Sequence, residues 1–259
     1  MNAFFEMVGR AFDEAMKNHE DLVIIIDGRE RTGKSALARQ IAYYLRDNHG
    51  ARFDLSRNVY FTVADVAMMF KQLRSQKQTP AGTVHIIDEA QNVLHHRRSM
   101  STFNVLFDEA IKSIGALRQV FIFCTPAFWE LDVLQRRADI LVHVYRRGYA
   151  GAWVPPRLWK LFSATMSLKR KTKIISFNQI ISLTGIVPTM NFRFSPPNDE
   201  ADYNKLKNRH IREFASQIGD KIIEKLGIAL TFDQISEKIE STDIDKILEQ
   251  VEQLKKRRG

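Results

Sequence analysis

Eight consecutive residues carry the clearest chemistry in this chain. Gly28-Arg29-Glu30-Arg31-Thr32-Gly33-Lys34-Ser35 fits the spacing G-x-x-x-x-G-K-[ST] in full. Such a loop can hold a polyphosphate. Successive backbone N–H groups wrap a β-phosphate, Lys34 reaches the β- and γ-phosphate oxygens, and Ser35 offers its hydroxyl to magnesium. Gly28 through Ser35 are therefore the candidate nucleotide-binding residues, and ATP with Mg2+ is the expected pair of cofactors. The alternative is a chance turn on a basic surface. The apolar run Leu22 to Ile26 before the loop and a helix that can start at Lys34 argue against it. Arg31 stands where many such loops carry a further glycine, so either its dihedral suits arginine or the loop is strained. Arg31 can instead add charge near the phosphates, with Glu30 orienting Arg29 or Arg31.

A second acidic signature lies downstream. Val84-His85-Ile86-Ile87-Asp88-Glu89 is an apolar strand ending in two carboxylates. Asp88 is the candidate magnesium-side acid, acting through a metal-bound water or through a hydrogen bond to Ser35. Glu89 is the candidate hydrolytic carboxylate that polarises the attacking water. Neighbouring strand residues point to opposite faces, which gives the two acids separate directions. An apolar run ending in Asp-Glu is weak alone and gains meaning behind a full phosphate loop.

Thr125 ends the run Val120 to Cys124 and precedes Pro126. It is the third candidate catalytic residue, as a sensor of the γ-phosphate or a holder of water, against the commoner reading of a capping threonine. Gln91 or Asn92 can couple the nucleotide state to the next loop. His95-His96-Arg97-Arg98 has too few convergent ligands for zinc and reads as a solvated or polyanion-contacting loop. Arg97, Arg98, Arg118, Arg136 and Arg137 are candidates for an arginine supplied to a neighbouring subunit's site.

The elements that must position these groups follow from periodicity. Phe4, Phe5, Val8, Phe12 and Ala15 share one face of a helix over residues 3 to 17. Strands are expected at Leu22–Ile26, Val59–Phe61, Thr83–Ile87, Val120–Cys124 and Ile140–Tyr145. Helices are expected over Ser35–Arg46, from a Thr62 cap to Ser75, over Phe103–Ile114 and over Phe128–Arg137. Short apolar strands alternating with helices indicate an α/β fold, with a mostly parallel sheet and helices on both faces. Gly148 to Gly151 turns a hairpin that returns through Ala152 to Val154. Helices are expected over Ala201–Gly219 and Ile235–Leu254, giving a largely helical C-terminal region. The domain reading is a core with its N-terminal helix over 1–147, a basic aromatic hairpin and extension over 148–198, and a helical region over 199–259.

Composition bounds the partners. The chain has 259 residues, 44% of them hydrophobic, and a formal net charge of +9. That is enough apolar material for a sizeable core, and the charge favours polyanions, either nucleic acid or acidic membranes. The single cysteine, Cys124, excludes an internal disulfide and agrees with a reducing, cytoplasmic or host-cytoplasmic setting. No secretory signal or membrane-spanning run is read from the sequence. Residues 146 to 173 combine Arg146, Arg147, Arg157, Lys160 and Lys169 to Lys173 with Tyr149, Trp153 and Trp159. Nucleic acid, an acidic membrane or a membrane protein, and plain packing with solvated basic edges all suit this mixture. Residues 226 to 258 fit a small helix-turn-helix or a subunit contact.

Taken in order, Gly28 to Ser35, Ile86-Ile87-Asp88-Glu89-Ala90-Gln91 and Phe121-Ile122-Phe123-Cys124-Thr125-Pro126 resemble the additional-strand, catalytic-glutamate division of P-loop ATPases. Within it, the stretch from Arg118 to Ile140, with Leu131-Asp132 and Arg136, resembles the HerA–FtsK group and its viral, plasmid DNA-packaging and Zot-like relatives. Tyr203-Asn204-Lys205-Leu206-Lys207 resembles the tail found after such cores. Asp88-Glu89-Ala90-Gln91 is also similar to AAA+ transposition and secretion ATPases. The resemblance covers about residues 20 to 147. It implies a RecA-like core and a homo-oligomeric ring that moves double-stranded DNA by ATP hydrolysis. An AAA+ loader or switch, or a membrane-associated assembly ATPase acting on a protein, are the other functions to weigh.

Overall fold

A computed structural model describes residues 2–73, 79–90, 117–131, 137–174 and 176–225. The helices expected over Phe103–Ile114 and Ile235–Leu254 lie outside the described residues, as does 132–136 of the stretch expected to be helical from Phe128. Residues up to Lys207 form one compact unit, and Asn208 onward form a second.

The first unit opens with helix α1 (Ala3–Asn18), capped by Asn2, whose side chain accepts from the Phe4 N–H. Strand β1 (Leu22–Asp27) follows, then helix α2 (Lys34–His49) directly after the phosphate loop. Next come β2 (Val59–Tyr60) and α3 (Val63–Leu73). Thr62 and Asp65 exchange side-chain-to-backbone bonds at the start of α3, as a capping box should. Strands β3 (Val84–Ile87), β4 (Val120–Thr125), β5 (Ile140–Arg146) and β6 (Tyr149–Trp153) complete the middle of the chain, with a short 3-10 turn at Phe128–Glu130. Helices α4 (Arg157–Lys171) and α5 (Phe177–Thr184), strand β7 (Met190–Arg193) and helix α6 (Glu200–Lys225) finish the described chain.

All seven strands join one sheet in the order β2-β3-β4-β1-β5-β6-β7. The pairs from β2 to β5 are parallel, and β6 and β7 add antiparallel. This is the mostly parallel, RecA-like α/β core expected from the sequence, with a helical C-terminal region. Strand β4 lies between the loop-bearing β1 and the acid-bearing β3.

The central strands are buried along their whole length, because helices cover both faces. Ile24, Ile26, Ile86, Ile122 and Val142 pack with α1 and α2 on one face. Val23, Ile25, Phe121, Phe123 and Leu141 pack with α3, α4 and α5 on the other. Phe4 of α1 stacks on Phe192 of β7 with ring centroids 3.8 Å apart, tying the first helix to the last strand. Among the described residues no helix is long and apolar enough to cross a membrane.

Candidate functional site

The phosphate loop leaves β1 at its C-terminal end, as the alternation of strand and helix requires. Gly28 has φ 144°, and a Cβ there would lie 2.6 Å from the Val144 carbonyl oxygen of β5. No side chain fits that gap. Gly33 has φ 99° and is the N-cap of α2. Arg31 has φ 60°, so it occupies the left-handed conformation that a glycine accepts without strain. The Thr32 hydroxyl donates to the Arg29 carbonyl at 2.8 Å and tightens the turn. Glu30 is exposed. Lys34, only 7% exposed, donates to the Gly28 and Arg29 carbonyls at 2.8 and 2.9 Å.

Ser35 and Asp88, 53 residues apart, meet at the head of α2. The Ser35 hydroxyl donates to Asp88 Oδ1 at 2.9 Å. Asp88 is 1% exposed and follows β3 directly. Glu89, partly exposed, has φ 55°, a strained value for a residue with a side chain. Thr125 is fully buried. Its hydroxyl exchanges bonds with the Ala127 backbone, and in the sheet register it stands opposite Asp27.

Three further features of this region had no local signature. Tyr203 and Lys207, one turn apart on α6, both reach the acidic pair. The Tyr203 hydroxyl donates to Asp88 Oδ2. The Lys207 ammonium lies 3.0 Å from Asp88 Oδ2 and 3.3 Å from Glu89 Oε1. Burial alone would lower the Lys207 pKa, but Asp88 and then Glu89 reverse this and raise it. Burial and the neighbouring Asp88 charge push the Tyr203 phenol far up, so it stays a donor.

The second feature is the anchor beneath Tyr203. Arg39 of α2, 1% exposed, lies 3.8 Å over the Tyr203 ring and donates to Asp199 at 3.0 Å. Tyr43 donates to the other Asp199 oxygen at 2.6 Å. The third is a buried pair on neighbouring strands, Asp27 and His143, 2.7 Å apart. His143 also stacks on Phe177 at 3.8 Å. The register of β1, β4 and β5 puts Thr125, Asp27 and His143 side by side.

Of the candidate arginines, Arg118 and Arg137 precede the starts of β4 and β5. Strand starts lie at the edge of the parallel sheet opposite the loop. Arg97, Arg98 and Arg136, with Gln91, Asn92, His95 and His96, lie outside the described residues. A separate cavity of about 870 Å³ beside the edge strand β2 is lined by Arg52, Arg57, Tyr60, Gln72 and His85, among others.

The oxygen donors suit magnesium, which takes one or two carboxylates together with waters and phosphate oxygens at near-octahedral geometry. The buried Asp88 carboxylate beside the Ser35 hydroxyl is such a set. Among the described residues no three His, Cys, Asp or Glu side chains converge into a protein-only cage.

No family model and no curated protein matches the chain. Solved structures that the chain is distantly similar to include the N-terminal domain of zonular occludens toxin from Neisseria meningitidis. It is 13% identical over 71% of this chain and 98% of that chain, with a TM-score of 0.43. B204, the DNA-packaging ATPase from Sulfolobus turreted icosahedral virus, is 17% identical over 70% of this chain and all of its own, with a TM-score of 0.39. Rhizobiales Trip13 is 19% identical over 66% and 59%, with a TM-score of 0.36. Likenesses this distant assign no activity, substrate or partner to the chain.

Proposed function

We infer that this chain is a magnesium-dependent ATPase that works as a ring of identical subunits to translocate or package double-stranded DNA for a virus or other mobile element. The observation that carries the nucleotide chemistry is the Ser35–Asp88 hydrogen bond. It joins the head of the loop helix to the acidic strand, where metal and polyphosphate must meet.

In this reading the loop amides from Gly28 to Ser35 bind the β-phosphate, and Lys34 turns from the loop carbonyls to the β- and γ-phosphate oxygens. Ser35 and Asp88 hold magnesium, which offsets the charge that builds on the phosphate oxygens. Glu89 orients and polarises the attacking water. Thr125 enters as a sensor-like group at the end of β4, next to the loop strand.

The DNA assignment is supported by where the charge lies. Between Ile140 and Asn198 there are nine Lys and Arg residues and no Asp or Glu. The whole chain has 39 basic and 30 acidic residues, so the rest balances to zero. On α4, Arg157, Lys160, Arg170 and Lys171 are exposed, and Trp159 is 60% exposed. Residues 148–198 are read as the DNA-facing extension of the 1–147 core, and 199–259 as its helical C-terminal region.

The test is ATPase turnover with and without long double-stranded DNA across a salt series, followed by displacement of a bound triplex strand. Stimulation by DNA with triplex displacement is the expected result. Stimulation without displacement favours a loader or switch. Turnover that ignores DNA but rises with acidic vesicles favours a membrane-associated assembly ATPase and overturns the DNA role.

A further inference from the structure

The geometry points to Lys207 as a second phosphate-facing cation of the nucleotide site, held on Asp88 and Glu89 until the nucleotide enters and then placed on its γ-phosphate. This rests on the ATPase reading above.

Three observations carry it. The first is location. Lys207 contacts both carboxylates of the pair, at 3.0 and 3.3 Å, and remains 26% exposed at the mouth of the site. One carboxylate stands on the metal side and the other on the side of the attacking water. A cation touching both is therefore within reach of the phosphate between them.

The second is delivery. The start of α6 is fixed by the Tyr203 ring under the Arg39 guanidinium and by Asp199 between Arg39 and Tyr43. Lys207 lies four residues after Tyr203, on the same helix face. The helix thus presents the ammonium from a buried base.

The third is charge balance. Lys34 and Lys207 offset Asp88 and Glu89 when no nucleotide is present. A triphosphate with its magnesium adds about two negative charges. With Asp88 holding magnesium, Lys207 would keep only its Glu89 contact, and the added negative charge of the nucleotide would hold the ammonium in the site. Its favoured new partner is the γ-phosphate, where charge grows during transfer.

Differential binding tests this. The full chain and its Lys207→Met and Lys207→Arg variants are titrated with Mg·ADP, and with Mg·ADP plus aluminium fluoride as a mimic of the phosphate in transfer. Lys207→Met is expected to lose about 100-fold in affinity for the mimic, while Mg·ADP affinity changes less than about threefold. Its kcat should fall by a similar factor with little change in KM. Lys207→Arg should recover most of both losses. Thermal melting of the nucleotide-free proteins gives an independent readout. If Lys207→Met lowers the melting temperature but binds the mimic as tightly as the parent, Lys207 is only a structural counter-ion and the inference falls. If the parent itself fails to bind Mg·ADP, the ATPase reading has failed instead.

Discussion

Arg31 shows how much can rest on one dihedral. Its φ of 60° places an arginine in a conformation that costs about 1 kcal/mol or more relative to glycine. Arg31→Gly should therefore raise stability by about 0.5–1 kcal/mol, read as a higher urea midpoint at unchanged slope. Glu89, at φ 55°, is strained in the same way. Glu89→Gln should keep Mg·ATP binding and lose turnover by 100-fold or more, by equilibrium binding and phosphate release. Parental turnover in that variant would remove Glu89 from the role. Lys34→Ala should weaken nucleotide binding itself. The placement of Lys34 and Ser35 at the head of α2 and of Asp88 at the end of β3 was legible in the sequence, because each lies in a short run that follows an apolar strand. The contacts of Tyr203, Lys207 and Arg39 were not, although the run from Tyr203 to Lys207 resembles the tail found after such cores. Their contacts span more than 100 residues, and a tyrosine or lysine on a polar helix looks like any solvated residue.

At the scale of elements, two placements have measurable consequences. Asp139 sits in the turn before β5, and its carboxylate accepts from the Val23 N–H at 2.8 Å. Burial, with help from Asp21 and Glu20, pushes its pKa up to about 6. The unfolded carboxyl titrates near 3.8. Between those values the folded chain holds a proton that the unfolded chain has lost, so stability falls as pH rises. Asp139→Asn should gain about 1–2 kcal/mol over the parent above pH 6, with the gain vanishing below pH 4. His85, lowered to about 4 by burial, acts with the opposite slope, so its stability is lost as pH falls from 6.5. It cancels when parent and variant are compared. Arg39→Met leaves Asp199 without its buried partner and should cost about 3 kcal/mol, read as a lower unfolding midpoint. The core strands and α1, α2 and α3 were legible from apolar periodicity. Helix α4 was not, although Leu158, Leu161, Phe162 and Thr165 form its buried face, because nearby cations dominate the composition. The pairing of β7 with β6 was also invisible, since strand order depends on contacts that no local pattern encodes.

At the scale of the whole molecule, charge is segregated. All of the net positive charge can be assigned to the acid-free stretch from 140 to 198. If this stretch contacts DNA phosphates, changing Lys160, Arg170 and Lys171 together to Gln should flatten the dependence of log affinity on log salt by up to about 2.7. Fluorescence anisotropy between 50 and 200 mM salt, on the order used for such titrations, would show it. An unchanged slope would place the contact elsewhere.

The glycine gap against β5 sets how closely the loop can approach its neighbouring strand. The Val144 carbonyl of β5 lies 2.6 Å from where a side chain at position 28 would begin, so β5 closes off that flank of the loop. On the other flank β1 borders β4, and β3 lies beyond it. A methyl group at position 28 would therefore have to push the loop and β5 apart, so Gly28 is what lets these two backbones lie so close.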